Sequence, residues 1–195
     1  MKIIAGLGNP GLRYSATRHN CGFLTIDALG QILSVEASQK KHDSLIAQAM
    51  YKGEKLFLVK PQSFMNLSGY PLMQTVNFFK VNIEDILVIF DDMALEPGVI
   101  RFRRGGTSGG HNGIASVIEQ TGTTQINRLK IGIGPNVFAN SADYVTAPFT
   151  LEEMPLMAES FKKAAVAALE WAENGISAAM NKYNVKAEAQ EEAGN

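Results

Sequence analysis

The chain of 195 residues has the size of one ordinary domain, and its 46% hydrophobic and 19% charged residues are typical of a globular protein rather than a disordered one. Its single cysteine, Cys21, excludes an intramolecular disulfide and a zinc site built from several cysteines. No apolar run approaches the ~20 residues that span a membrane, and the apolar stretch 3–7 is too short for a secretion signal. We therefore expect a single cytoplasmic domain over residues 1–185, followed by a polar acidic tail over 186–195.

The net charge of −1 hides an uneven distribution. Residues 1–150 carry 14 Lys and Arg against 11 Asp and Glu, whereas residues 151–195 carry 4 against 8. Between residues 97 and 118 there are three arginines, Arg101, Arg103 and Arg104, and no acidic residue. Such a local basic face is what phosphate recognition requires, because the nearby field matters more than the total charge. A solvated strand with arginine stems is the alternative interpretation.

Short apolar runs that end in Gly, Asn or Asp predict buried strands. These runs cover residues 2–8, 55–60, 86–91 and 128–134, with a hairpin partner at 44–51 and a further strand at 98–103. Helical periodicity predicts helices over about 22–34, 68–79, 111–119 and 151–174. Thr150 and Glu153 have the spacing of a capping box at the start of the last helix. Interleaved strands and helices predict an α/β fold, namely a three-layer α/β/α sandwich with a mixed, mostly parallel twisted sheet.

The first predicted strand runs into Gly6-Leu7-Gly8-Asn9-Pro10-Gly11, which fits the dinucleotide-binding pattern. Pro10 removes one of the amides that would face a pyrophosphate, and the polar residues 13–20 predict no helix directly after the glycines. We interpret the segment as a tight loop that presents the Asn9 side chain. A nucleotide-binding oxidoreductase is kept as an alternative function.

A glycine-rich stretch precedes the third predicted helix. Four glycines lie within residues 105–110, and His111 and Asn112 follow them at the start of the helix. Loops of this kind before helices bind anions with their backbone amides. No Gly-Lys-Ser or Gly-Lys-Thr sequence follows the glycines, so the stretch is not a nucleoside-triphosphate P-loop.

Polar residues recur where predicted strands end and predicted helices begin. A carboxylate at Asp91 could hold one ring N–H of His19 and leave the other ring nitrogen free as a base. Asn9, Asn66 and Asn112 lie at loop–helix junctions, where each alone is equally well explained as a capping residue. We interpret Cys21, close to His19, as a small core residue. The set predicts a polar pocket without a metal-ligand cluster, suited to water attack on a carbonyl.

Six motifs follow one another over about residues 3–150. They are Gly8-Asn9-Pro10-Gly11 with Tyr14, Thr17-Arg18-His19-Asn20, Phe64-Met65-Asn66-Leu67-Ser68-Gly69, Asp91-Asp92, Gly109-Gly110-His111-Asn112-Gly113, and Arg128 followed by Ile131-Gly132-Ile133-Gly134. In this order they resemble the motif set of the bacterial-type peptidyl-tRNA hydrolase family. The resemblance implies a monomeric hydrolase of translation, without metal or other cofactor, obligate protein partner or membrane association, that cleaves the ester between a peptide and the 3′ end of tRNA.

The resemblance also implies roles for individual residues. By analogy, His19 is the general base on water, Asp91 orients it, and Asn9 helps to distinguish peptidyl-tRNA from aminoacyl-tRNA. The residues implied to hold the peptide and the terminal nucleotide are Tyr14, Phe64, Asn66 and Asn112. Arg103 and Lys130 match the family's basic pair for the acceptor end of the tRNA. A non-catalytic RNA-binding relative is the second alternative, and the intact set of Asn9, His19 and Asp91 disfavours it.

Overall fold

The computed structural model describes residues 1–184, so the tail expected over 186–195 lies outside the described residues. Seven strands form one sheet in the order β2-β3-β4-β1-β5-β7-β6. The strands are β1 (Lys2–Gly6), β2 (Gln39–Lys41), β3 (Ser44–Tyr51), β4 (Glu54–Pro61), β5 (Ile86–Asp92), β6 (Ile100–Arg104) and β7 (Asn127–Gly132). The helices are α1 (Cys21–Leu33), α2 (Gly69–Phe79), α3 (Asn112–Thr121), α4 (Ser141–Thr146) and α5 (Met154–Tyr183).

The centre of the sheet is parallel and its two sides are antiparallel. Strands β4, β1, β5 and β7 run in the same direction, whereas β2, β3 and β6 join by antiparallel pairing. Parallel strands buried on both faces are rich in apolar residues, which explains the continuous runs in β1 and β5. Because β1 and β5 are parallel neighbours, their C-terminal ends meet at one edge. The predicted α/β fold with a mixed sheet is confirmed.

Helices cover both faces of the sheet and make three layers. On one face α1 and α5 enclose a core that includes Leu58, Ile89 and Trp171. On the other face α2 and α3 enclose a second core that includes Val88 and Leu72. Successive residues of a strand point to opposite faces, so β5 supplies Ile89 to the first core and Val88 to the second.

The last helix is longer than its periodicity predicts. Gly175 breaks the helix with φ 78° and ψ 176°, but helical structure resumes and continues to Tyr183. The resumed segment is stabilised by packing, since Ile176 and Met180 contact the core of the α1 and α5 face. Its end is fixed by Asn184, whose Oδ1 accepts from the N–H of Phe102 at 2.7 Å and whose Nδ2 donates to the carbonyl of the same residue at 2.9 Å. None of the described helices combines the length and the apolar composition needed to cross a bilayer.

The start of α5 forms the predicted capping box. The N–H of Glu153 donates to Thr150 Oγ1 at 3.2 Å, and the N–H of Thr150 donates to Glu153 Oε2 at 2.7 Å. Strand β2 and helix α4 were not predicted. Both are short, and the three residues of β2 are exposed, so neither contributes an apolar period that a sequence can reveal.

The glycines of the apparent dinucleotide pattern are needed for helix–sheet packing. A Cβ at Gly6 would lie 2.2 Å from the carbonyl oxygen of Gly22, and a Cβ at Gly8 would lie 2.6 Å from the ring of Phe23. In addition, no α-helix follows the glycines directly, since α1 begins at Cys21. The glycines therefore allow α1 to approach β1 closely, which disfavours a dinucleotide site.

Substitution of Gly22 tests this close approach. A Cβ at Gly22 would lie 2.3 Å from the backbone nitrogen of Leu7 and 2.4 Å from the carbonyl oxygen of Ile89. Gly22→Ala is expected to lower the free energy of unfolding by about 1–3 kcal/mol, because overpacking forces the backbone to shift. Urea denaturation measures the loss, and the exposed Gln31→Ala in the same helix should stay within about 0.5 kcal/mol of the wild type. An unchanged midpoint for Gly22→Ala would contradict the packing.

Candidate active site

Three polar side chains of the sequence prediction meet at the C-terminal edge of the sheet. Asn9 lies in the loop after β1, Asp91 lies near the end of β5, and His19 lies in a single 3-10 turn, Arg18–Asn20, directly before α1. Their exposed fractions are only 7%, 2% and 8%, respectively. The parallel pairing of β1 with β5 places the first two together, and the packing of α1 on this part of the sheet adds the third.

His19 and Asp91 form a direct pair. The Nδ1 of His19 lies 2.9 and 3.0 Å from the two carboxylate oxygens of Asp91. Burial would raise the pKa of the Asp91 carboxyl, but the neighbouring His111 and His19 outweigh it and hold that pKa well below its usual range. An ionised carboxylate can only accept hydrogen bonds, so His19 carries its proton on Nδ1. The Nε2 atom of a neutral His19 then keeps a lone pair that can accept a proton.

A second histidine shares the same carboxylate. The Nε2 of His111 donates to Asp91 Oδ1 at 3.1 Å, and its Nδ1 accepts from the N–H of Ile114 at 3.2 Å. The rings of His111 and His19 are 4.9 Å apart between centroids. The sequence pattern predicts His111 only at the entry to a helix and does not indicate this contact. Its position between the glycine-rich loop and Asn112 was the available signal.

The cluster of His19, Asp91 and His111 also places three atoms of metal-ligand type within 4.8 Å of one another, whereas the sequence pattern predicts no metal-ligand cluster. A metal binds the lone pair of an imidazole nitrogen. The nitrogens that face Asp91 carry protons, and His111 Nδ1 already accepts from Ile114. A metal bound between these three side chains would therefore have to displace the two imidazole protons that are hydrogen-bonded to the Asp91 carboxylate. The hydrogen bonds fit a proton-transfer site better than a metal site.

The side chain of Asn9 is held in one orientation. Its Oδ1 accepts from the N–H of Met65 at 2.8 Å. Its backbone is clamped by Asn20, whose Oδ1 accepts from the N–H of Asn9 at 2.8 Å and whose Nδ2 donates to the carbonyl of Asn9 at 3.0 Å. Because the oxygen is occupied, the Nδ2 of Asn9 is the group that remains to donate to a ligand.

The turn that carries His19 is fixed from outside by Arg18. This buried side chain donates through Nη2 to both carboxylate oxygens of Glu153, at 3.0 and 2.7 Å, and through Nη1 to the carbonyl of Pro148 at 2.7 Å. Hydrogen bonds between two ionised groups are stronger than those between neutral groups. The start of α5 therefore holds the histidine turn in place.

Asn66 and Asn112 are exposed, and neither acts as a helix cap. Asn66 lies in the 3-10 turn Met65–Leu67, and no side chain caps α2. Asn112 is the first residue of α3, whose cap is the side chain of His111. The capping interpretation is therefore wrong for both, and both carboxamides are accessible. Asn66 follows Met65, the residue bonded to Asn9, and Asn112 follows His111, so each is a chain neighbour of a residue that contacts the site.

Two aromatic residues, one in the 3-10 turn after the Asn9 loop and one directly before Met65, lie close to each other. The rings of Tyr14 and Phe64 are 6.3 Å apart between centroids and nearly perpendicular, at 85°. Tyr14 is half-buried, whereas Phe64 is 52% exposed. An exposed large aromatic beside a polar site gives a ligand an apolar surface to contact.

The predicted basic residues share one face of the β6–β7 pair. Arg103 is exposed, and Lys130 is half-buried with its Nζ 2.6 Å from Asp92 Oδ2. The register places Arg101 opposite Lys130 and Arg103 opposite Arg128. Arg103 and Lys130 are thus diagonal rather than direct neighbours. Since Asp92 neutralises Lys130 in part, Arg103 is the more available cation.

Cys21 lies in the core, as the sequence analysis expected. Its side chain has no exposed surface. Burial, together with the nearby Asp91 charge, raises the pKa of the thiol well above its usual value. A neutral, enclosed thiol is a poor nucleophile, so Cys21 does not form a Cys–His catalytic pair.

Comparison with known proteins gives one consistent family. The family model described as peptidyl-tRNA hydrolase matches residues 3–192. Peptidyl-tRNA hydrolases of Desulfitobacterium hafniense and Caldanaerobacter subterraneus are 48% and 47% identical, over 94% of this chain and 100% of theirs. The crystal structure of peptidyl-tRNA hydrolase from Acinetobacter baumannii is similar with a TM-score of 0.88 at 29% identity, over 95% of each chain. A single-residue variant of the A. baumannii protein gives 0.89 at 30% identity, again over 95% of each chain.

Proposed function

The chain belongs to the peptidyl-tRNA hydrolase family, and we propose that it hydrolyses the ester between the peptide and the 3′-terminal ribose of peptidyl-tRNA with His19 as general base. The products are free tRNA and free peptide. The observation that carries the role of His19 is the contact of its Nδ1 with both carboxylate oxygens of Asp91, at 2.9 and 3.0 Å. This contact supports a fixed tautomer in which Nε2 faces the attacking water.

The chemistry follows from that tautomer. His19 Nε2 takes a proton from water while the water oxygen attacks the ester carbonyl. Positive charge develops on the imidazole, and the ionised Asp91 stabilises it without itself taking the proton. The proton then passes from Nε2 to the departing ribose oxygen. Carboxamide N–H groups that line the site donate to the oxyanion that forms on the attacked carbonyl.

Asn9 gives a physical basis for choosing peptidyl-tRNA over aminoacyl-tRNA. Its Oδ1 is engaged by Met65, so the side chain offers an N–H donor. A peptidyl group carries an amide carbonyl on its α-nitrogen, which accepts from such a donor. The aminoacyl group of aminoacyl-tRNA carries an ammonium group at the same place. An ammonium group cannot accept a hydrogen bond, so the N–H donor of Asn9 would be left unpaired.

Binding of the rest of the substrate is assigned to the residues around the cluster. Asn66 and Asn112 pair with polar groups of the peptide backbone and the terminal nucleotide, while Tyr14 and Phe64 contact their apolar surfaces. Arg103, supported by Lys130, binds phosphate at the acceptor end. Contacts to backbone and phosphate suit an enzyme that must accept many peptides and many tRNAs. We place this reaction in the cytoplasm, where translation supplies the substrate, and assign it to a monomer without an obligate protein partner.

Removal of the imidazole tests the role of His19. His19→Ala is expected to lower kcat by about 10²–10⁴-fold, the range that a positioned general base contributes, while the affinity for uncharged tRNA stays near the wild-type value. Single-turnover hydrolysis of a defined peptidyl-tRNA and filter binding measure the two quantities. His42→Ala, in the turn after β2, is the matched control. Full activity of His19→Ala would remove His19 from the mechanism.

The pH dependence of kcat/KM gives a second test. The value is expected to rise from acidic to neutral pH, because protonated His19 cannot accept the proton of water. The pKa of Asp91 lies well below its usual range, so this carboxylate stays ionised and does not produce the acidic limb. Asp91→Asn removes the carboxylate that fixes the tautomer of His19 and stabilises the imidazolium, so kcat should fall. A flat wild-type profile over this range would argue against a histidine base.

Arg103 is tested through salt dependence. Arg103→Ala is expected to weaken binding of all tRNAs alike and to reduce the slope of log K against log salt concentration by about one unit, because one phosphate contact is lost. Lys163→Gln, an exposed lysine of α5, removes the same charge elsewhere and should leave the slope unchanged. An unaltered slope for Arg103→Ala would locate the phosphate contact at another residue.

A further inference from the structure

Arg128 of β7 is a buried cation that, within the described residues, binds backbone carbonyls and no side chain. Its side chain is 2% exposed, and no carboxylate within residues 1–184 forms an ion pair with it. Nη1 donates to the carbonyl of Thr107 at 2.7 Å, and Nη2 donates to the carbonyls of Gly106 and of Thr124, the latter at 3.2 Å. Nε is buried and has no hydrogen-bond partner in the part of the chain that the structure describes. Burying a charge without a counter-charge is costly, so these three hydrogen bonds have to offset that cost.

We propose that Arg128 is a positioning residue for catalysis: it fixes the glycine loop, residues 105–110, and through this loop holds His111 and Asn112 beside Asp91. The inference rests on the proposed function, since it assigns a further residue to the same reaction.

The three carbonyls join two loops that flank α3. Gly106 and Thr107 belong to the glycine loop before α3, whereas Thr124 belongs to the loop after α3. Backbone bonds join the same loops, since the N–H of Gly105 donates to the carbonyl of Ile126 at 3.0 Å and that of Gly106 to the carbonyl of Thr124 at 3.1 Å. Arg128 therefore fixes the first half of the glycine loop.

The second half of the loop ends in the active site. The N–H of His111 donates to the carbonyl of Ser108 at 3.1 Å, and its Nε2 donates to Asp91 Oδ1 at 3.1 Å. Only three residues separate Thr107 from His111. Two of them, Gly109 and Gly110, have positive φ values of 58° and 84° and offer little intrinsic rigidity. Without Arg128, the first half of the glycine loop would be held to the loop after α3 by the backbone bonds of Gly105 and Gly106, and His111 would be held less firmly beside Asp91.

Arg128 and the neighbouring Arg103 differ in their surroundings and in the groups that they can bind. They lie opposite each other in the β6–β7 register, an arrangement in which like charges repel. Arg103 is exposed and available to phosphate, whereas Arg128 is enclosed by the loop carbonyls. A buried cation beside an exposed one is unfavourable for stability, so the hydrogen bonds from Arg128 to the loop carbonyls also have to offset this repulsion.

Two substitutions separate the shape of the guanidinium from its charge. Arg128→Lys keeps the charge but loses the planar fork, and Arg128→Gln loses both. We expect both variants to lower kcat by about 10–100-fold, the loss typical of small misplacements of catalytic groups, with KM and the salt slope close to wild type. Arg103→Ala should raise KM and reduce the salt slope while kcat stays near wild type, and Lys163→Gln should leave all three quantities unchanged. A normal kcat in Arg128→Lys, with a raised KM in Arg128→Gln, would make Arg128 a phosphate contact and overturn the proposal.

Hydrogen exchange separates positioning from general stability. In both variants the amides of residues 106–111 should exchange faster, while those of β1 and β5 keep wild-type protection. Loss of protection throughout the sheet in both variants would make Arg128 a residue of the fold and overturn its assignment to catalysis. An inactive wild type in the same assay would contradict the proposed function itself, whereas wild-type kcat in both Arg128 variants would contradict only this inference.

Discussion

One buried carboxylate organises the functional end of the molecule. Asp91 accepts hydrogen bonds from His19 and from His111, and the two histidines keep its pKa low in spite of burial. These residues come from the end of β5, the turn before α1 and the start of α3. A charge enclosed in this way needs its donors in place, so the three segments stabilise one another at the point where the chemistry is assigned.

The rest of the fold places Asn9 and His19 next to the Asp91 carboxylate. The parallel pairing of β1 with β5 sets the Asn9 loop beside Asp91, and the missing side chains of Gly6 and Gly22 let α1 approach the sheet. Arg18 then ties the histidine turn to Glu153 at the start of α5. The packing of α1 on the sheet and the geometry of the site are therefore coupled, since a change in how α1 packs also moves His19.

Local patterns in the sequence predicted most of the strands and helices and part of the candidate site. Apolar runs predicted the buried strands, because a strand enclosed on both faces has a composition of its own. Polar residues where predicted strands end pointed to Asn9 and Asp91, and those where a predicted helix begins pointed to His19. The second partner of Asp91, His111, was missed, as were the ion pair of Lys130 with Asp92 and the pairing of Arg103 with Arg128. These contacts depend on strand order and register between distant segments, which no local pattern encodes.

The helix break at Gly175 has a consequence for the outer strand of the sheet. By redirecting the chain, it brings Asn184 to β6, where the carboxamide occupies both backbone groups of Phe102. An open strand offers such groups to any other extended chain and so invites aggregation. At Phe102 the Asn184 carboxamide already forms the two hydrogen bonds that a neighbouring strand would form. Another extended chain could pair with β6 at Phe102 only by displacing Asn184.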